Sequence, residues 1–172
     1  QGVEGRRTRR ARPYPIHELE QALAVAVAIR ESNAGLPFDR VLLAKALGTT
    51  PASSGYTMRL NSSAKYGLTR GGYADPVIKL TPRGNAIVAP QHSDELRVAL
   101  IEAAVEPDLF DRFYRTLDGR PIPEDTYALN LLQRELGVHP SLADECLRLI
   151  KANGLYVGIL SEIEGSLVVN FK

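Results

Sequence analysis

Few residues in this chain have the type and spacing that covalent catalysis requires. Ser62 and Lys65 are three positions apart, the spacing of a serine nucleophile and its lysine base in an S-x-x-K motif. The S-D-N and K-T-G motifs that would complete such a site are absent, so we interpret the pair as coincidental. The single cysteine, Cys146, lies beside Leu147 at core spacing with no thiolate-stabilising motif, and we expect a small buried side chain.

Metal and nucleotide sites have no more support than covalent catalysis. The three histidines, His17, His92 and His139, are far apart and fit neither H-x₃-H nor H-E-x-x-H spacing. The chain also lacks the phosphate-binding patterns G-x-x-x-x-G-K and G-x-G-x-x-G. We therefore predict a protein that is not an enzyme, with no catalytic residue, no metal and no cofactor.

Composition narrows the class of protein further. The 172 residues suffice for one ordinary domain or two small ones, and 44% hydrophobic with 24% charged residues is typical of soluble globular proteins. The longest apolar run, Ala22 to Ile29, is too short to span a membrane, and no signal peptide opens the chain. We expect a cytoplasmic location and no membrane partner. Because the first residue is Gln1, we interpret the chain as a piece of a longer protein.

The charges are distributed unevenly along the chain. Residues 1–92 hold 13 Lys+Arg against 6 Asp+Glu, a net charge of +7, whereas residues 93–172 hold 8 against 14, a net charge of −6. The two halves should therefore meet different partners, or each other. Five arginines form a basic arm near the start, and we expect residues 1–15 to be a disordered tail that either binds phosphates or is only a solvated linker. These arginines are Arg6, Arg7, Arg9, Arg10 and Arg12.

The first half predicts helices followed by a hairpin. The expected helices cover Ile16 to Ser32, Asp39 to Leu47, Ser53 or Ser54 to Tyr66, and Pro82 to Val88. Asp39 and Thr81 are candidate N-caps, and Pro82 suits a first helical position. In the second helix we expect Val41, Leu42, Ala44 and Leu47 to face inward. Between the last two helices, Leu68 to Arg70, the turn Gly71-Gly72, and Val77 to Leu80 predict a two-stranded hairpin.

The second half repeats this order of elements. Helices are expected over Asp94 to Val105, Asp108 to Leu117, Glu124 to Leu136 and Ser141 to Asn153, where Gly154 should end the last helix. Strands are expected over Leu155 to Leu160 and Ser166 to Asn170. The phrases Lys65-Tyr-Gly-Leu68 and Ala152-Asn-Gly-Leu155 should occupy equivalent places, which indicates an internal repeat.

The motifs of the first half resemble the winged helix-turn-helix family. The resemblance rests on Tyr66-Gly-Leu68, the glycine turn, and Ile78-Lys-Leu-Thr-Pro-Arg-Gly84; the second half is similar in element order but lacks the last step. It implies an α+β fold, mainly α with small β-hairpin wings, built as two tandem winged-helix domains over 16–92 and 93–172. Winged helices bind DNA, RNA and protein, so the resemblance indicates a fold more than a function.

In this family the third helix is the recognition helix, and here its polar side chains could meet duplex DNA. We expect Thr57 or Met58, Leu60, Ala64 and Leu68 to face the core, which leaves a polar face with small side chains and cations. The candidate DNA-binding residues on that helix and in the wing are Ser54, Tyr56, Arg59, Ser62, Ser63, Lys65, Arg70, Lys79 and Arg83.

The equivalent helix of the second half is poorly suited to DNA. Asp144 and Glu145 lie in its first turn, where acids favour the helix dipole but repel phosphates, and Glu162 and Glu164 lie in the second wing. We expect this half to mediate self-association as a homodimer, to dock onto other domains of a longer protein, or to pack on the first half.

Our leading hypothesis is thus a DNA-binding tandem winged-helix module with a role in transcription regulation. The alternative is a protein–protein adaptor or sensor module that does not bind DNA, in which the acidic half docks a basic partner. A positive strip along the exposed face of the third helix would favour DNA, and a flat apolar patch there would favour protein.

Overall fold

The computed structural model describes residues 11–171, which form eight helices and five short strands. The helices are α1 (Leu19–Asn33), α2 (Arg40–Ala46), α3 (Ser54–Lys65), α4 (Pro82–Val88), α5 (Ser93–Val105), α6 (Asp108–Thr116), α7 (Asp125–Arg134) and α8 (Pro140–Val157). The strands are β1 (Phe38–Asp39), β2 (Thr69–Arg70), β3 (Val77–Leu80), β4 (Leu160–Ile163) and β5 (Ser166–Val169). The prediction of a mainly helical α+β fold with small antiparallel sheets is confirmed.

The first unit, α1 to α4, packs its helices against a three-stranded antiparallel sheet. The strands have the order β1–β3–β2, with Phe38 paired to Ile78 and Arg70 paired to Lys79. The hairpin β2–β3 was predicted, but β1 was not, because two residues carry no alternation that a sequence pattern could reveal. β1 comes directly before α2, so the sheet fixes where α2 begins.

Side-chain caps determine the starts of α2 and α4, as predicted. The Asp39 carboxylate accepts hydrogen bonds from the backbone N–H groups of Val41 and Leu42, at 2.9 and 3.0 Å. The Thr81 hydroxyl accepts one from the Gly84 N–H at 2.9 Å, and Pro82 occupies the first helical position. These bonds satisfy donors that a helix start leaves without a partner.

The predicted inward face of α2 is wrong for two of its four residues. Val41 and Leu42 are exposed, whereas Leu43 and Ala44 are buried. The seven-residue helix has room for only one buried stripe, and residue 41 lies about 200° around the helix from Leu43. The exposed aliphatic side chains therefore lie on the outer face of α2.

The second unit, α6 to β5, has the same order of elements as the first. Pro121, between α6 and α7, forms a β-bridge to Val168 of β5, and β5 pairs with β4. The order Pro121–β5–β4 thus corresponds to β1–β3–β2. α5 lies between the units and packs on both α4 and α8.

The last helix and the first strand after it differ from the prediction, because Leu155 to Val157 belong to α8 and β4 begins only at Leu160. α8 runs through Gly154 to Val157 and ends at Gly158, whose φ of 85° is left-handed. Gly154 is buried inside the helix, and a Cβ there would lie 2.6 Å from Leu160 Cγ, so this glycine serves close packing rather than termination. The predicted equivalence of the two sequence phrases is therefore wrong, since Gly158 and not Gly154 corresponds to the helix-ending Gly67.

Buried side chains of both units belong to one continuous apolar cluster. It joins Leu23, Tyr66 and Leu68 of the first unit to Phe113 and Leu149 of the second. A smaller cluster within the first unit fills the space between α1, α2, α3 and the sheet. The second unit thus packs on the first, which is one of the alternatives that the sequence left open.

Asn153 of α8 makes a buried polar connection between the units. Its Oδ1 accepts from the backbone N–H of Leu19 at 2.8 Å, and its Nδ2 donates to the Tyr66 hydroxyl at 2.9 Å. That hydroxyl donates in turn to the His17 carbonyl at 2.6 Å. The amide therefore ties α8 to the start of α1 and to the end of α3.

The segment before α1 is packed, so the predicted tail of residues 1–15 is wrong for its last residues. Tyr14 is buried, its ring stacks on Phe110 at 5.9 Å between centroids, and its hydroxyl donates to Glu145 Oε1 at 2.8 Å. Arg12 Nε donates to the same oxygen at 2.6 Å. The other arginines of the basic arm, Arg6, Arg7, Arg9 and Arg10, lie outside the described residues.

Candidate nucleic-acid interface

The part of the sequence that forms α2, α3 and the β2–β3 hairpin carries almost no negative charge. Residues 40–93 contain seven Lys+Arg and one carboxylate, Asp75. The Asp75 Oδ2 accepts a hydrogen bond from the backbone N–H of Gly72 at 2.8 Å, so it closes the hairpin loop. This stretch can therefore face a polyanion without a second carboxylate to repel it.

α3 has one buried face and one exposed face. Tyr56, Leu60, Ser62 and Ser63 are buried. The opposite face carries the exposed residues Ser54, Asn61, Ala64 and Lys65 and the half-buried residues Thr57 and Met58. The exposed face is thus polar, with one cation at its C-terminal end and no acid.

Three of the candidate DNA-binding residues on α3 are on the wrong side of the helix. Tyr56 donates through its hydroxyl to the Arg40 carbonyl at 2.7 Å. The hydroxyls of Ser62 and Ser63 form 2.7 Å hydrogen bonds to His17 Nδ1 and to the Thr69 hydroxyl respectively. The prediction that Tyr56, Ser62 and Ser63 are exposed is wrong, because each pairs its polar group inside the fold.

Arg59 also points away from the exposed face. It is half-buried, and residue 59 lies about 200° around the helix from Asn61. Arg59 lies one turn before Ser62, whose hydroxyl bonds to His17 Nδ1, so it lies on the side of α3 toward the chain before α1. Burial lowers the pKa of His17, and the Arg59 charge lowers it further. The expectation that Arg59 shares a face with Lys65 is therefore wrong. Ala64, which was expected to face the core, is exposed.

Two cations lie side by side on the exposed surface of the β2–β3 hairpin. Arg70 and Lys79 are direct cross-strand partners and both are exposed, whereas Thr69 and Ile78 are buried on the other face. Like charges opposite each other on a sheet repel. Within the described residues neither cation forms an ion pair, and the same holds for Lys65. An anion bound here would relieve this repulsion.

Arg40 connects the hairpin loop to the helices, a role that its sequence position did not reveal. Its guanidinium lies 5.3 Å from the centroid of the exposed Tyr73 ring, and its Nη1 donates to the Pro51 carbonyl at 3.2 Å. Its backbone N–H donates to the Pro76 carbonyl at 3.0 Å. One residue thus holds the start of α2, the turn before α3 and the loop together.

Arg83 is used inside the fold. Its Nη1 donates to the Tyr66 carbonyl at 3.0 Å and to Glu106 Oε2 at 2.9 Å, and its side chain is 22% exposed. Its Nε lies 3.9 Å from Glu102 and has no hydrogen-bond partner among the described residues. The expectation that Arg83 is free to bind DNA is wrong, because it holds α5 against the end of α3.

An acidic wall borders the candidate interface on one side. A cleft of about 660 Å³ separates Arg70 and the end of α3 from α5, and its α5 side carries Glu95, Glu102 and Glu106. Carboxylates repel phosphates, so a nucleic acid on α3 and the hairpin would extend away from α5.

The cations of α8 are paired, in contrast to those of α3. Arg148 Nη1 donates to Glu18 Oε1 at 3.1 Å, and Lys151 Nζ donates to Asp125 Oδ1 at 2.8 Å. In the β4–β5 hairpin, Glu162 and Glu164 are exposed. Within the described residues, the helix that corresponds to α3 therefore presents no unpaired cation, although Arg120 and Arg134 elsewhere in the second unit are exposed and form no ion pair.

The described residues reveal no other chemical centre. Cys146 is buried, which raises its pKa to about 12 and keeps the thiol protonated. Residues 11–171 contain no cluster of three or more His, Cys, Asp or Glu suited to a metal ion. None of their helices is long and apolar enough to cross a membrane. Comparison with protein-family models, with curated proteins and with solved structures gives no match to this chain.

Proposed function

We propose that the chain is a tandem winged-helix module whose first unit binds duplex DNA through α3 and the β2–β3 hairpin. The observation that carries this proposal is a set of three cations, Lys65, Arg70 and Lys79, that form no ion pair within residues 11–171 and lie beside a helix face without carboxylates. The candidate contacts that remain on the outer surface are these three residues and Ser54.

The order of elements supports the winged-helix assignment. The first unit has three helices, a short strand between the first two, and a hairpin after the third. This is the arrangement of the winged helix-turn-helix family, which the sequence motifs resemble. The β2–β3 hairpin takes the place of the wing, and α3 that of the recognition helix. α6 to β5 repeat this order, with Pro121 in the position of β1.

The dimensions of α3 suit a major groove. Its 12 residues extend about 18 Å, and a major groove about 12 Å wide admits one α-helix. With the exposed face of α3 in the groove, Lys65 at the helix end and the Arg70–Lys79 pair are the cations available to the phosphates on one side. The carboxylates of α5 border this surface across the cleft beside Arg70, so the DNA would lie on the side of α3 and the hairpin away from them.

The second unit acts as a scaffold in this proposal. Four polar side chains of α8 are paired within the fold. Glu145 and Arg148 pair with Arg12 and Glu18 before α1, Asn153 with the backbone N–H of Leu19 in α1, and Lys151 with Asp125 of α7. Its free surface, rich in carboxylates, is suited to self-association or to docking onto another domain, and not to phosphates.

Binding of a mixed-sequence duplex, followed by fluorescence anisotropy at about 50 and about 200 mM salt, tests the proposal. The full chain is compared with a variant in which Lys65, Arg70 and Lys79 are replaced by Gln. A matched control loses three exposed cations of the second half, Arg97, Arg120 and Arg134. Each phosphate contact adds about 0.9 to the slope of log affinity against log salt.

We expect the first variant to bind weakly with a shallower slope, and the control to bind like the natural chain. Equal losses of affinity in both variants would mean that net charge alone determines binding, which would contradict the proposal. A third variant with Arg6, Arg7, Arg9 and Arg10 replaced by Gln measures the arm. If that variant alone loses all binding, the folded unit is not the DNA-binding element.

Three exposed aliphatic side chains in and just before α2 favour the alternative, a protein–protein adaptor or sensor module without DNA binding. Leu36, Val41 and Leu42 are 62%, 51% and 54% exposed and lie within seven positions of one another. Exposed aliphatic groups of this kind mark protein contacts. Sedimentation velocity of the full chain and of Leu42→Ser tests whether a second copy of the chain is the partner. Self-association of the full chain that Leu42→Ser abolishes would favour the adaptor, provided that the chain also fails to bind DNA.

A further inference from the structure

Asn61 lies at the centre of the exposed face of α3. Lys65 follows it by one helical turn on the same face, and Ser54 precedes it by two turns. Met58, which is half-buried, lies three residues before Asn61 on the same side of the helix. Because α3 is buried on its opposite face, Asn61 is the mid-helix side chain that any molecule laid along this face would meet first.

Nothing in the fold accounts for an asparagine at this position. No described residue forms a hydrogen bond with its side chain, whereas the amides of Asn33 and Asn153 are both bonded. The exposed amides of Asn85 and Asn130 are unbonded as well, so it is the place of Asn61 at the centre of the exposed face of α3 that distinguishes it. Asparagine is also a poorer helix former than alanine in a helix interior. The amide is therefore free, and the helix would be more stable without it.

The chemistry of a free amide selects among base edges in the major groove. A carboxamide offers an acceptor oxygen beside N–H donors, and adenine presents the complementary pair, the N7 acceptor and the N6 donor. Guanine presents two acceptors, N7 and O6, so it cannot satisfy the amide oxygen. Lys65 is a flexible point charge suited to phosphate, and Met58 offers an apolar surface to a thymine methyl group.

We propose that Asn61 is the specificity-determining residue of this face, that its amide forms a bidentate contact with adenine, and that the chain therefore prefers sites with an A·T pair at one fixed position. This inference rests on the proposed DNA-binding function and adds the kind of base that the helix reads.

The test begins with selection of binding sites from a pool of random duplexes by the full chain, followed by sequencing. It continues with affinity measurements on the selected duplex and on the same duplex with 7-deazaadenine, which lacks N7, at the preferred position. The variant is Asn61→Ala, and the matched control is Asn130→Ala, an exposed asparagine on α7. Circular dichroism of both variants verifies that they remain folded.

We expect the selected sites to share an A·T pair, and both 7-deazaadenine and Asn61→Ala to weaken binding by about tenfold or more. The two changes should not add, because they remove the same contact. Asn130→Ala should leave affinity and preference unchanged, and Lys65→Gln should weaken binding equally on all sequences.

Two outcomes would overturn the inference, and they are distinguishable. In the first outcome, binding depends on salt but shows no base preference, or shows a preference that Asn61→Ala and 7-deazaadenine do not change. Asn61 would then not determine specificity, while the proposed DNA-binding function would still hold. In the second outcome, the chain binds no duplex at all, which would contradict both the role of Asn61 and the proposed DNA-binding function.

Discussion

Replacement of Asn153 by alanine should destabilise the whole chain, because this residue connects the two units. The substitution removes the acceptor for the backbone N–H of Leu19, which is fully buried, and the donor to the Tyr66 hydroxyl. A stranded buried donor costs about 1–3 kcal/mol, and the second lost hydrogen bond adds about 1 kcal/mol. We therefore expect a decrease of about 2–4 kcal/mol in the free energy of unfolding.

Urea denaturation followed by circular dichroism measures this change, with Asn130→Ala as the control. The exposed control should lie within about 0.5 kcal/mol of the natural chain. A double-mutant cycle with Tyr66→Phe isolates the amide–hydroxyl contact and should give a coupling energy above about 0.5 kcal/mol. A cost below about 0.5 kcal/mol for Asn153→Ala, or a coupling near zero, would refute the view that this polar link joins the units.

Three other perturbations address separate parts of the fold. Gly84→Ala should lower the free energy of unfolding by roughly 2–3 kcal/mol, because its Cβ would collide with a backbone carbonyl, whereas Gly72→Ala has open space and should be neutral in the same urea assay. Burial acts to raise the pKa of Glu145, but hydrogen bonds, chiefly from Arg12, hold that pKa below its ordinary value of 4.5. The stability that Glu145 contributes is thus present above about pH 4.5 and is lost as the pH falls through the lower folded pKa, so thermal denaturation of Glu145→Gln should show a flatter acid limb. Burial lowers the pKa of His17 in the folded state, so the unfolded chain binds protons more readily and stability should fall as the pH drops below 6.5. A natural chain that is no less thermally stable at pH 5.5 than at pH 7.5, or a His17→Gln variant that loses as much stability as the natural chain between these pH values, would contradict that assignment.

The sequence predicted elements that begin with their own local signal. Asp39, Thr81 and Pro82 predicted two helix starts because capping depends only on neighbouring residues. The Gly71-Gly72 turn predicted the β2–β3 hairpin for the same reason. Gly154 misled the prediction because a glycine that ends a helix and one that admits a neighbouring side chain look identical in sequence, and only the packing of Leu160 distinguishes them.

The candidate site was harder to predict because it depends on the rotation of a single helix. Serine is polar, so a sequence pattern places Ser62 and Ser63 on the exposed face. In the structure Ser62 pairs with His17 from before α1, and Ser63 pairs with the buried Thr69 of β2. Asn61 was overlooked because only its place on the exposed face of α3 distinguishes it from other exposed helical asparagines such as Asn130. Arg83 was misassigned because its partner, Glu106, lies on a helix of the other half of the chain.

The central claim is that the first unit binds DNA through α3 and the β2–β3 hairpin. A titration of the isotopically labelled full chain with a mixed-sequence duplex, followed by two-dimensional amide NMR at about 50 mM salt, tests it residue by residue. We predict shifted resonances concentrated in residues 53–66 and 69–80, with little change in α5 to β5. Shifts confined to the second unit or to the arginine arm, or no shifts at all, would contradict the claim.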